Sequence, residues 1–229
     1  ENLVEKYALS RDEQDRFAVE SQRKAAAACS AGYFDSEIVP VRLEATRNNL
    51  DGSLSCADEA IRPDTSAEKL VKLRPVFKPD GTVTAGNACT MGDAACAIVL
   101  STREQAAARG LKPLFSIVSF AEAAVEPATM GEGPGVVIPR ALERAGMVLG
   151  DMDAIEVNEA FAAQMLANER VLRWNRDKVN QFGGAIALGH PTGFSGGRIL
   201  MSLNNILRRR DGELGVASIC GGGGVTTAV

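Results

Sequence analysis

The sequence predicts an α/β fold, and three observations carry that expectation. Between Gly86 and the end of the chain, short apolar runs alternate with helix-patterned segments. Glycines stand where helix patterns stop, at Gly110 and Gly146. The chain closes in two strand-like runs, 214–220 and 225–229, on either side of a glycine run, the pattern of a β-hairpin.

Residues 1–33 carry a helical pattern. Ser10 with Glu13 has the spacing of a capping box, and the helix should end near Gly32. Residues 38–41 read as a short strand, with Pro40 suggesting a sheet edge. Residues 44–82 are rich in Asp, Asn, Pro and Gly and lack periodicity; a stretch of that length is often functional. Lys69–Arg74 would supply a turn or two of helix. The run 94–100 suits a strand buried on both faces. A helix follows over 102–109, then a strand-like run over 114–125, a helix over 139–145 and a strand over 154–157. The helix opened by Asn158-Glu159-Ala160-Phe161 should reach about Trp174. Residues 185–188 form a short apolar piece, and 195–209 a long helix.

Composition narrows the function class. The 229 residues are 45% apolar and 24% charged, which fits a folded domain or two rather than disorder. Lys and Arg number 25 against 29 Asp and Glu, so bulk charge gives no support for nucleic-acid binding. No apolar stretch is long enough to span a membrane as a helix. Five cysteines without a C-x-x-C pair point to free thiols in an intracellular, reducing compartment. Cytoplasm, mitochondrion and peroxisome stay open. A single histidine, His190, excludes a metal site built on several histidines. The chain opens at Glu1 without methionine and closes in an apolar run, which reads as a segment of something longer; no signal or transit peptide is visible.

Three places carry chemistry. His190 sits between glycine-rich segments, Gly183-Gly184 before it and Gly193 to Gly197 after it, just ahead of a helix start. Glycine lets backbone approach a ligand, and a helix start offers free N–H groups to an anion or a carbonyl oxygen. The bland alternative is a tight strand-turn-helix link. Cys220, followed by Gly221–Gly224, is either a thiol facing a substrate or a small core residue. Asn158 is either a helix N-cap or a polar group aimed at a reacting oxygen.

Together these segments resemble the three C-terminal signatures of the thiolases, the acetyl-CoA acetyltransferases and 3-ketoacyl-CoA thiolases. Thr84-Ala85-Gly86-Asn87-Ala88 and Ile61-Arg62-Pro63-Asp64 resemble thiolase loop segments. The resemblance implies reversible thiolytic cleavage and Claisen condensation of 3-ketoacyl-CoA with coenzyme A, with acetoacetyl-CoA as the favoured substrate. Coenzyme A would be a substrate; no cofactor would be tightly bound. His190 matches the histidine that activates the nucleophile and helps hold the thioester oxygen. Asn158 matches the asparagine that holds a water at that oxyanion hole, Cys220 the acid/base for the α-proton, and Gly222 a backbone donor to the other oxyanion hole. Arg62 matches an arginine beside the adenine and phosphates of coenzyme A. Phe77, Met130 and Phe161 match residues lining the pantetheine and acyl channel, with Ala85, Ala88 and Ala160 beside it. Cys89 stands where the family usually has a serine on the pantetheine arm. The family's nucleophilic cysteine has no counterpart here, and Ala60 replaces a tyrosine of one potassium-dependent branch, so no potassium or other metal site is expected.

The implied fold is the thiolase type. Residues 1–91 would form most of the loop domain that covers coenzyme A. Residues 92–112 would be the last strand and helix of an N-terminal half that is otherwise missing. Residues 113–229 would form the C-terminal half, a mixed five-strand sheet with helices. The missing half would come from the same precursor or a partner chain, and its absence would expose a large apolar face. A homodimer or homotetramer is expected. The rival reading is a non-catalytic thiolase remnant that binds coenzyme A or lipid without a nucleophile.

Overall fold

The computed structural model describes residues 1–44 and 53–229. Part of the aperiodic stretch expected over 44–82 therefore lies outside the described residues. The elements run α1 (Asn2–Tyr7), α2 (Arg11–Ser30), β1 (Val41–Arg42), β2 (Leu54–Ser55), α3 (Ala67–Leu70) and α4 (Arg103–Ala108). They continue with β3 (Ala121–Ala124), α5 (Gly133–Ala145), β4 (Ala154–Val157), α6 (Ala162–Leu172), α7 (Ala185–Leu188), α8 (Ser195–Arg210), β5 (Gly215–Cys220) and β6 (Val225–Ala228).

The N-terminal helical pattern is two helices. Ala8 takes a left-handed conformation and ends α1, and Ser10 restarts the chain as the cap of α2. Its hydroxyl accepts from the Glu13 N–H while the Glu13 carboxylate accepts from the Ser10 N–H, so two orphan donors are satisfied reciprocally. Thr102 caps α4 in the same way, by accepting from the Gln105 N–H. Gly146, at φ +69°, closes α5 where a side chain would be strained.

The central sheet has the order β3-β6-β5-β4. β4 and β5 are parallel; the β5–β6 hairpin and the β6–β3 pair are antiparallel. Helix α5 covers one face and α8 the other. Alternation along β4 sorts its side chains. Ile155 and Val157 join the core under α5, with Ile138, Leu142, Met165 and Trp174, while Ala154 joins the α8 side with Ile199, Leu203 and Ile206. Glu156 and Asn158 therefore share the α8 side of the strand.

Five strands were expected and four form. The fifth position is held by a single parallel bridge between Val179 and Ile155. Asn180 explains the shortfall. Its φ of +43° turns the backbone out of strand geometry, and its carboxamide then pairs with the Val157 backbone, accepting from the N–H at 2.8 Å and donating to the C=O at 2.8 Å. A side chain does the work of a peptide unit.

Two further expectations are corrected. The run 94–100 is neither a strand nor buried: Val99 is 88% and Leu100 72% exposed. Of the run 114–125, only Ala121–Ala124 is strand. A strand buried on both faces needs neighbours for its backbone groups, and among the described residues no strand flanks 94–100 or 114–120. Their apolar side chains, Leu100, Leu114 and Ile117 among them, wall a wide groove of about 1260 Å³ against α8. The strand expected at 38–41 is displaced to Val41–Arg42, where it pairs with β2. Among the described residues no helix is long and apolar enough to cross a membrane.

The cap on α2 yields a direct test. Ser10→Ala should lower the unfolding free energy by about 1 kcal/mol, read as a reduced midpoint in urea with an unchanged slope.

Candidate active site

The site is built at the carboxyl ends of the two parallel strands, the usual location of ligand crevices in α/β sheets. Asn158 follows β4 directly, and its N–H continues the ladder to Ser218 C=O at 3.0 Å. Cys220 ends β5. Asn158 is not a helix cap: α6 begins four residues later, with Phe161 in the cap position. Its fully buried carboxamide instead faces His190, Nδ2 to Nε2 at 3.4 Å.

His190 is delivered by the glycine-rich loop. Gly183, at φ +78°, lies so close to α2 that a Cβ would strike the Ser21 carbonyl and Ala25. Gly184 is equally constrained, since a Cβ there would overlap the Glu159 carboxylate. That buried carboxylate is a hub. It accepts from Ser21 Oγ at 2.6 Å, Asn180 Nδ2 at 3.0 Å and the Ile186 N–H at 3.2 Å. The loop is thereby tied to α2, to the 180 turn and to the residue next to Asn158. After Gly189, the His190 N–H donates to Thr90 C=O at 2.7 Å.

The segment 87–90 closes the ring between these parts. Its N–H at Cys89 donates to Ala160 C=O at 3.0 Å, its Asn87 C=O accepts from Ala162, and Ala88 bridges Phe161. One stretch of backbone thus touches both the Asn158 turn and the His190 loop. Cys89 adds a small upward push to the Cys220 thiol, after burial.

The hydrogen bonds around the imidazole run in one direction. Ser195 Oγ lies 3.0 Å from Pro191 C=O and 2.6 Å from His190 Nδ1; with its hydrogen on the carbonyl, it accepts from Nδ1. Nδ1 then carries the proton. Nε2 presents a lone pair, which accepts from Asn158 Nδ2. The arrangement leaves His190 as a base with a fixed tautomer.

The remaining sequence-derived positions lie around this centre. Phe77, 62% exposed, meets Phe161 edge-on at 6.0 Å between ring centres. Ala160 is buried under the turn, Ala88 is half-buried and Ala85 exposed. Met130 is half-buried in the turn Pro127–Glu132, which packs against the exposed Gly222 turn. Arg62 is exposed; its backbone N–H donates to Gln22 Oε1 at 2.7 Å, and Gln22 Nε2 donates to Ile186 C=O at 3.3 Å. The Arg62 segment is thus fastened to the loop that carries His190. Lys69 is paired with Asp64. Cys96, expected in a core strand, is exposed, as are Cys29 and Cys56. Among the described residues no group of His, Cys, Asp and Glu could hold a metal ion.

The comparisons agree with this geometry. Residues 111–229 match the model of the thiolase C-terminal domain, and residues 1–104 that of the thiolase N-terminal domain. The chain belongs to the thiolase family. It is 50% identical to a probable acetyl-CoA acyltransferase of Staphylococcus epidermidis and 48% identical to an acetyl-CoA acetyltransferase of Chromobacterium violaceum. In both cases 100% of this chain is matched and 58% of the relative. Among solved structures, an acetyl-CoA acetyltransferase from Bacillus anthracis superposes with a TM-score of 0.95 at 45% identity, over 99% of this chain and 57% of that one. Human mitochondrial 3-ketoacyl-CoA thiolase in complex with CoA gives 0.90 at 44%, over 99% and 56%. The chain therefore spans a little over half the length of the thiolases it matches, and its fold is the thiolase fold.

Four buried side chains beside the candidate site carry no role in the sequence reading: Ser195, Arg198, Glu156 and Glu159. One signal was present. The buried face of α8 repeats as Ser195, Arg198, Ile199, Ser202, Leu203 and Ile206, so a charged residue falls on an apolar stripe. Glu156 offers a similar anomaly, a carboxylate inside a strand with every residue buried.

Burial sets the protonation states. Burial, then the Arg198 charge, holds His190 below the usual histidine range. Burial pushes the Cys220 thiol up to about 11 and also raises Cys89. Burial drives Glu156 up to about 8 against the pull of Arg198. A carboxyl whose folded pKa lies above its unfolded value stabilises the fold at low pH and loses that contribution as pH rises through the folded pKa. Stability should therefore fall between about pH 4.5 and about pH 8. Glu156→Gln should abolish that fall, by up to about 5 kcal/mol, in urea titrations at pH 5 and pH 9. Alkylation supplies a second test. At pH 8 iodoacetamide should modify Cys29, Cys56 and Cys96 first and Cys220 last, with the Cys220 rate still climbing above pH 9; early labelling of Cys220 by mass spectrometry would contradict its assigned burial and pKa.

Proposed function

We propose that this chain is the larger part of a thiolase that cleaves 3-ketoacyl-CoA reversibly with coenzyme A, acetoacetyl-CoA being the favoured substrate. The observation that carries the reading is the Asn158–His190 pair, with a lone pair on Nε2, set at the strand ends beside a thiol that stays protonated at neutral pH.

The roles follow from these states. A thiol pushed up to about 11 is a poor resting nucleophile and stays protonated at neutral pH, so it holds a proton for a stronger base such as an enolate. Cys220 therefore serves as acid/base, and the nucleophilic thiol is supplied from outside these 229 residues, by a longer chain or an assembly. His190 Nε2 takes that thiol's proton. The thiolate attacks the 3-keto carbonyl, the bond between the keto carbon and the α-carbon breaks, and its electron pair passes to the α-carbon as an enolate. Cys220 protonates the α-carbon, releasing acetyl-CoA. The Cys220 thiolate then takes the proton of a second coenzyme A thiol, whose sulfur attacks the acyl-enzyme; the enzyme's thiolate leaves and His190 returns its proton to it. Imidazolium Nε2–H and the Asn158 amide, through a water, stabilise charge on the thioester oxygen, and the Gly222 N–H does so for the other oxyanion.

Coenzyme A would lie over the 62–89 region. Arg62 would meet the adenine and its phosphates, Phe77, Met130 and Phe161 would line the pantetheine and acyl path, and Ala85, Ala88, Cys89 and Ala160 would flank it. The match over 58% of a relative's length and the CoA-bound neighbour support this reading. A homodimer or homotetramer completes the proposal.

The test is coenzyme A-dependent loss of acetoacetyl-CoA by the full-length polypeptide that carries this chain. His190→Ala should reduce kcat/KM by about 10²–10⁴ with an unchanged circular dichroism spectrum. Unaltered turnover in the variant would overturn the role of His190. Binding of coenzyme A with no turnover in the wild type would favour the non-catalytic reading.

A further inference from the structure

The first turn of α8 holds both ends of the Asn158–His190 pair. Ser195 and Arg198 stand three residues apart and so share a helix face. Ser195 takes the Nδ1 end of the imidazole. Arg198, only 7% exposed, reaches the far side of the amide, Nη2 to Asn158 Oδ1 at 3.5 Å. Its Nε and Nη1 are buried and have no hydrogen-bond partner among the described residues. The same holds for both oxygens of Glu156, two residues before Asn158 on the same face of β4. A buried guanidinium with two idle donors is costly, and its charge is balanced by the Glu156, Glu37 and Asp58 carboxyls, which feel its pull.

We propose that Arg198 is a positioning residue for the imidazole: it fixes the direction of the Asn158 carboxamide and through it the tautomer of His190. An asparagine amide can rotate by half a turn at little steric cost, exchanging oxygen and nitrogen. With Arg198 present, Oδ1 faces the cation and Nδ2 is left to donate to Nε2. With the amide reversed, Oδ1 would face Nε2 and select the Nε2–H tautomer, which has no lone pair for a thiol proton. Arg198 thus starts a one-way sequence of donors: guanidinium to Oδ1, Nδ2 to Nε2, Nδ1–H to Ser195 Oγ, and Ser195 O–H to the Pro191 carbonyl. The catalytic consequence rests on the acyl-transfer reading; the orientation does not.

The test is made on the ring of His190 in the full-length polypeptide that carries this chain, its signals assigned by their absence in His190→Gln. With 15N-labelled histidine and pH above the imidazole midpoint, the wild type should show protonated Nδ1 and unprotonated Nε2. Arg198→Gln should lose that single-tautomer signature and give a mixture of the two forms, and Asn158→Ala, which removes the middle link, should do the same. Glu156 would then lack its main opposite charge, so Arg198→Gln combined with Glu156→Gln serves if the single variant fails to fold. A folded Arg198→Gln, or the folded double variant, that keeps the wild-type tautomer overturns the proposal, as does an Asn158→Ala variant that keeps it. No substrate enters the measurement, so absence of thiolase turnover would leave the outcome readable, and a lost tautomer preference would leave the substrate assignment untouched.

Discussion

The site depends on one buried carboxylate. Glu159, 1% exposed, receives donors from α2, from the turn at Asn180 and from the backbone of Ile186. Each bond crosses a different sequence gap, and together they press the glycine-rich loop onto the turn that carries Asn158. Gly184 is the geometric counterpart, since only a residue without Cβ lets the loop come that close. A carboxylate that accepts three hydrogen bonds in a dry interior is held tightly, because breaking any of them would strand charge. His190 sits six residues along the chain from Gly184 and inherits its position from this clamp.

Local signals made most of the fold legible. The Ser10 capping box, the strand 154–157, the closing hairpin and the long helix from Ser195 are each specified by residues next to one another, and each forms where its own sequence places it. Runs 94–100 and 114–120 fail for the opposite reason. Their apolar composition describes a strand with neighbours, and strandedness is completed by whatever pairs with it, not by the run itself. Asn180 shows a third case. No pattern announces that a carboxamide will occupy the ladder position of a fifth strand, because the decision is made by a left-handed φ and by Val157, 23 residues earlier.

The candidate site was legible through glycine spacing and the rarity of histidine. His190 and the Asn158 turn meet the segment that carries Cys89, and Cys220 ends the strand next to the one that Asn158 follows. The residues that orient them were not visible in the same way. Ser195 reads as an ordinary helix start, and Arg198 as one more basic residue in a helix that ends in three others. Only the periodicity of the buried face separates Arg198, which points into the sheet, from Arg208, Arg209 and Arg210 at the exposed end.

Acid/base assignments are commonly found where environments drive two titratable groups apart. Here a single cause does so. Withdrawal from water disfavours charge, and it therefore lowers an imidazolium pKa and raises a thiol pKa. His190 moves down and Cys220 moves up for that one reason, with Arg198 adding to the first shift. At neutral pH the imidazole is then an uncharged base and the thiol an uncharged acid, which are the starting states that proton removal from a nucleophile and proton delivery to an enolate require. No opposing charges have to be built into the crevice to produce them. Burial also gives the direction of the Asn158 amide its weight: turned the other way, it would offer Nε2 an oxygen and favour the tautomer without a lone pair there.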